Sequence, residues 1–317
     1  MEIMRLLGIG SDCMAVMGIF VCFALTSVLA QMPTKEAHLS GSSTAAEETP
    51  TSTFFPTIES GLRRDLEAHP DSAPILYQLG QVLRFENRPK ESLEIYTQAA
   101  NLQKPDADEL RSVALDYVLL DDYNDAIHWL GIARSMDPSN VNILYSLGRC
   151  YFSQSRFDDA KTMFLQVLQI KPDHLKAEEN LGLIYDLVDN QPEKAETALR
   201  KTVEWAGQET TDEWPFLDLG GFLLNHGRAA EAIPVLRRAA TIAAKSAVCH
   251  EKLGLALVAA KDITGGVEEL ATASQLDPKN PKIHFELGRA YRQEGALDKS
   301  RAEFELSESL YGYHNQE

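Results

Sequence analysis

The sequence predicts an all-α protein, an α-solenoid of seven helix-turn-helix repeats behind an N-terminal capping helix. Two spacings carry that prediction. A small residue recurs every 34 positions at Gly80, Ala114, Gly148 and Gly182, and again at Gly220, Gly254 and Gly288, with one step of 38 between the runs. In each copy a second small residue follows, at Ser92, Ala126, Ala160, Ala195, Ala232, Gly266 and Ser300. Four positions later stands a large apolar side chain: Tyr96, Leu130, Phe164, Leu199, Leu236, Leu270 or Phe304. Within one copy, Leu144, Leu147 and Tyr151 share a helix face, and Ala160, Phe164 and Val167 share the next. Small residues at the crossing of two such helices let their backbones approach.

Residues 1–30 read as an export signal. An uncharged apolar run from Met14 to Leu25 precedes Val28-Leu29-Ala30, which places cleavage before Gln31. The alternative is an uncleaved membrane anchor. Residues 31–56 are rich in Ser, Thr, Pro and Glu with no apolar period, the composition of a disordered linker. Residues 57–72 form the capping helix, with Leu62 and Leu66 one turn apart and a stop at Pro70-Asp71. A repeat array needs its first apolar face covered, and this helix supplies the cover. Repeats one to three occupy 73–106, 107–140 and 141–174. Repeat four, 175–212, is longer, with one residue added in its turn at Asn190-Gln191-Pro192 and three more before Asp212. Repeats five and six occupy 213–246 and 247–280, and repeat seven with a short tail occupies 281–317. Asp71, Asn140, Asp173, Asp212 and Asn280 are candidate N-caps of first helices.

This periodicity with a small-residue crossing resembles the tetratricopeptide repeat, and the resemblance covers roughly three quarters of the chain. It implies a right-handed superhelix whose first helices line a concave groove. Carried onto this sequence, the family's inward positions in repeats one to three are Tyr77, Gln81, Arg84 and Phe85, then Arg111, then Asn142, Tyr145, Arg149 and Phe152. Repeats four to six give Leu183, Leu187, Leu217, Leu224, Leu255 and Val258, and repeat seven gives Phe285, Arg289 and Arg292. The groove therefore reads basic-aromatic, then aliphatic, then basic-aromatic. The Asn/Lys clamp of chaperone-docking relatives is not reproduced, because the ninth repeat positions are Gln81, Leu115 and Arg149.

The chain carries 30 basic against 47 acidic side chains, a net charge of −17, which repels phosphate backbones and disfavours nucleic acid as a partner. The sequence has no G-x-S-x-G elbow, H-E-x-x-H pair, phosphate-cradling loop or C-x-x-C, so no catalytic residue, metal ligand or cofactor is expected. His250 and His284 share one repeat position and could meet over a metal, but packing is the expected role. Cys150 and Cys249 read as buried small hydrophobes rather than a disulfide. The expected function is an exported scaffold, periplasmic or secreted, that binds a protein or peptide in its groove within an envelope assembly. Membrane contact is expected only through an uncleaved leader. The alternatives are self-association through the C-terminal end, giving a homo-oligomer, and a helical-repeat enzyme subunit.

Overall fold

The computed structural model describes residues 51–207 and 209–314. The expected leader and most of the expected linker lie outside the described residues. Among the described residues there are fifteen helices and no strand. A first helix α1 (Thr51–Ala68) precedes seven pairs. These are α2 (Ala73–Phe85) with α3 (Pro89–Leu102), α4 (Ala107–Leu119) with α5 (Tyr123–Met136), and α6 (Val141–Ser153) with α7 (Phe157–Ile170). Next come α8 (Leu175–Leu187) with α9 (Pro192–Ala206) and α10 (Trp214–Asn225) with α11 (Ala229–Ile242). The last pairs are α12 (Ala247–Ala259) with α13 (Ile263–Leu276), and α14 (Pro281–Glu294) with α15 (Leu297–His314). The fold is an all-α helical-repeat solenoid. The chain divides into a unit ending at Arg156 and a unit beginning at Phe157.

In the first unit each helix from α1 to α6 packs on the next, and the first helices also touch directly, α2 on α4 and α4 on α6. In the second unit the same holds from α7 to α15, with α8 on α10, α10 on α12 and α12 on α14. Close crossings hold pairs within each unit. A Cβ at Gly80 would lie 2.8 Å from Tyr96 Cζ, one at Gly220 would lie 2.4 Å from Leu236 Cδ2, and one at Gly288 would lie 2.9 Å from Phe304 Cδ1. The large residue of the second helix thus fills the space that the glycine leaves; Tyr96, Leu236 and their equivalents up to Leu270 are buried, and Phe304 of the last pair is half-buried.

The turn inside each pair uses one device. The first helix ends in a left-handed residue, at Asn87, Asp121, Ser155, Asn190, Gly227, Lys261 or Gly295. The next N–H then donates back to the last helical turn: Arg88 N to Leu83 O at 2.9 Å, Asp122 N to Tyr117 O at 2.9 Å, and Asp262 N to Leu257 O at 2.9 Å. This is the six-to-one closure that satisfies carbonyls orphaned at a helix end. Repeat four departs from it as its extra residue requires. There Gln191 N donates to Tyr185 O at 2.7 Å, one residue further back.

Helix α1 begins at Thr51, upstream of the Thr57 start read from the sequence. Phe55 stacks on Phe85 with centroids 5.5 Å apart, a contact that Ser/Thr-rich composition does not announce. Phe55, Ile58 and Leu66 join buried Leu62 against Leu79, Val82 and Leu83, so α1 covers the first apolar face. Asn140 and Asn280 cap α6 and α14 with their side chains. At α8, however, the cap is His174, whose Nδ1 accepts from Ala177 N, and at α2 it is Ser72 rather than Asp71. Asp212 still accepts from Trp214 N at 3.1 Å, although Glu213 holds the N-cap position of α10.

Arginines at matching turns tie successive repeats. Arg88 reaches Glu59 of α1 at 2.8 Å and Glu91 at 2.6 Å, and Arg228 reaches Glu196 of α9 at 2.7 Å and Glu231 at 2.7 Å.

Candidate inner-face binding surface

The inward residues of the first unit come from α2, α4 and α6, three first helices that pack in series. Arg84, Arg111 and Arg149 are all half-buried, one on each helix. Arg84 lays its guanidinium over the Phe85 ring at 4.5 Å, and its Nε is buried without a hydrogen-bond acceptor. Arg111 Nε stands 3.7 Å from Asp108 Oδ1, one turn back on α4, too long for a tight pair. Gln81 and Phe152 are half-buried, and Asn142 is exposed.

The two tyrosines of this set belong to the core. Tyr77 is 4% exposed, leans on Tyr96 with centroids 6.0 Å apart, and donates its hydroxyl to Gln103 O at 2.7 Å. Burial, then the nearby Glu109 and Asp106 charges, raise its phenol above the ordinary range. Tyr145 is 7% exposed. Their register position points between helices rather than out of the face, so neither offers a flat surface to a ligand.

In the second unit the aliphatic reading holds only in part. Leu187 is 68% exposed, Leu183, Leu224, Leu255 and Val258 are half-buried, and Leu217 is buried. The same register, however, also carries charges that the sequence reading passed over. Lys176 Nζ lies 2.9 Å from Asp212 Oδ2 and 3.3 Å from the buried Glu179. Asp186 Oδ1 meets His226 Nε2 at 2.7 Å, and Lys282 Nζ meets the buried Glu251 at 2.8 Å. Asp218, packed beside Glu179, has its carboxyl raised well above the usual range, chiefly by burial and then by Glu179. Applying the second, fifth and twelfth repeat positions to every copy would have found Lys176, Glu179, Asp186, Glu251 and Lys282. In repeat seven, Phe285 is 44% exposed and tilts against Phe304 at 5.6 Å, while Arg289 pairs with Glu286 at 3.0 Å.

The histidines do not meet over a metal. His250 sets Nδ1 against Glu269 at 2.6 Å and Nε2 against Ala244 O at 3.1 Å. His284 repeats this with Glu303 at 2.7 Å and Pro278 O at 3.0 Å. Each ring ties the second helix of its own repeat to the end of the repeat before it, and no group of three His, Cys, Asp or Glu suited to a metal occurs among the described residues. Cys150 and Cys249 are free and buried, their thiols pushed up by burial to about 12 and about 11. No described helix is long and apolar enough to cross a membrane.

Three models described as tetratricopeptide repeat match the chain, over residues 73–106, 118–179 and 251–313. The chain is 22% identical over 219 residues to the BBSome complex member BBS4 of Bos taurus, covering 69% of this chain and 41% of that protein. It therefore spans less than half the length of this relative. Among solved structures, it is similar to Cut9 with Hcn1 from the APC/C, with a TM-score of 0.63 and 14% identity over 81% of this chain and 50% of that one. It is also similar to PilW, a type IV pilus biogenesis factor, with a TM-score of 0.60 and 17% identity over 65% of this chain and 94% of that one. At such identities these structures speak for the fold alone.

Proposed function

Starting from a chain that belongs to the tetratricopeptide-repeat family, we propose that it is an exported scaffold that docks a protein partner on the inner faces of its first helices, as part of a cell-envelope assembly. Export is carried by the apolar leader and its Val28-Leu29-Ala30 end. The scaffold role is supported by the repeat fold and by the complex membership named for the BBS4 relative. The observation that carries the ligand side is the set Arg84, Arg111 and Arg149 on α2, α4 and α6, three half-buried cations in a chain of net charge −17. A guanidinium is a planar fork that takes a carboxylate with two hydrogen bonds. The ligand is an extended segment bearing acidic side chains, with Phe152 beside Arg149 offering an apolar contact.

The test is titration of acidic-aromatic and basic peptides against the wild type and the double variant Arg111→Ala, Arg149→Ala. The acidic peptide should bind the wild type, lose affinity as salt rises, and bind the double variant about tenfold or more weakly, since a charged hydrogen bond contributes about 1.5–3 kcal/mol. Unchanged affinity in the double variant, or preference for the basic peptide, overturns the assignment.

A further inference from the structure

Two positions beyond the first small residue of each repeat, the first helix buries an apolar side chain: Val82, Cys150, Ile184, Phe222, Ala256 and Ala290 are all at most 4% exposed. Repeat two places Asp116 there, fully buried. A carboxylate in that register is costly unless it is paired or neutral.

Its main contact decides between those forms. Ser92 Oγ, on α3, lies 2.6 Å from Asp116 Oδ2 and 2.8 Å from Gly80 O. A hydroxyl has one proton to donate, and Gly80 O can only accept. If Asp116 were ionised, Ser92 would face two acceptors with one proton. Repeat seven shows where the serine proton goes at this register: Ser300 Oγ donates to Gly288 O at 2.8 Å, with no carboxylate present. With the same arrangement at Ser92, Asp116 must be the donor on Oδ2, and the two contacts become hydrogen bonds in series.

We propose that Asp116 is a proton-operated latch between repeats one and two, which closes as a neutral acid donating to Ser92 and loosens the junction of α3 with α4 when it ionises. The groups that act on Asp116 are Arg84 of α2 and Ser92 of α3, while Tyr96 of α3 and Tyr117 on its own helix feel its charge. Asp122 and Asp125 of α5 act on Tyr117, and no charged group of α6 enters. Arg84 leaves its Nε unpaired and Asp116 leaves its Oδ1 unpaired, so the one nearby cation does not hold the ionised form. Burial outweighs the pull of Ser92 and Arg84 and pushes the carboxyl up to about 7. Because this folded value lies above the ordinary 3.8, folding favours the protonated form. The contribution to stability is therefore fully present below about pH 4 and is lost as pH rises through about 7.

The experiment follows the full chain between about pH 5 and 8.5 by infrared spectroscopy and by amide hydrogen-exchange protection factors. The difference spectrum of wild type minus Asp116→Asn should show a protonated-carboxyl component that fades through about pH 7, on top of the absorption that Glu109 and Asp218 give both proteins. Protection in α3 and α4 should fall about tenfold over the same range. Asp116→Asn should stay protected throughout, since its amide N–H still donates to Ser92. Glu109, on the same helix, is also raised to about 7, so Glu109→Gln must keep the slope if Asp116 is its source. A flat wild-type profile, a slope that survives in Asp116→Asn, or a slope that vanishes in Glu109→Gln overturns the proposal.

Discussion

Single methyl groups added at Gly220 and at Gly221 should have opposite effects. At Gly220 the new Cβ would sit 2.4 Å from Leu236 Cγ and Cδ2, whereas at Gly221 nothing lies within 4 Å. Overpacking a filled crossing costs about 1–3 kcal/mol, which outweighs the roughly 1 kcal/mol that alanine gains over glycine in a helix. Gly220→Ala should therefore lower the urea midpoint and Gly221→Ala should raise it; equal shifts of one sign would refute the crossing. This contrast was legible in the sequence, because Gly220 lies on the 34-residue step and Gly221 does not. The burial of Tyr77 and Tyr145 was not, since a register position fixes a side of the helix but not how far a ring leans into its neighbours. Nor was Asp116, whose meaning depends on Ser92 from another helix.

At the scale of elements, the helix-turn-helix pairs and the extra residue in repeat four were readable, because size and backbone geometry are local. Caps and ends were less so. His174 caps α8 where the sequence favoured Asp173, and α1 extends to Thr51 because Phe55 finds Phe85. The turn residue offers an element-level prediction. Lys261 adopts φ 74° and Ser155 φ 57°, where a side chain costs about 1–2 kcal/mol relative to glycine. After the entropy of a freer unfolded chain is deducted, Lys261→Gly should stabilise by roughly 0.5–1 kcal/mol. The reverse change at Gly295, φ 90°, should destabilise. Thermal melting of both variants decides it.

For the whole molecule, the repeat count and the acidic balance followed from composition and spacing, whereas partner chemistry rests on which charges gather along the inner register. In the second unit Lys176 and Lys282 are held by carboxylates, whereas the first unit gathers three half-buried guanidinium groups on α2, α4 and α6, and that clustering is what favours them as anion contacts. The export reading makes its own prediction: N-terminal sequencing of the protein from its native source should begin at Gln31. An intact leader on protein released only by detergent would support the anchor instead.

The left-handed turn residues carry one further consequence. Asn87, Asp121, Ser155, Asn190 and Lys261 are all exposed, each at the same place in its repeat. The described native thiols, Cys150 and Cys249, are buried and resist ionisation, so they react poorly with alkylating dyes. A cysteine installed at any one of these turns would thus be labelled in preference to both. Because neighbouring first helices pack about 8–10 Å apart, the turns of each unit act as graduations on a ruler, from which fluorescent probes could report where along the inner face a bound segment begins.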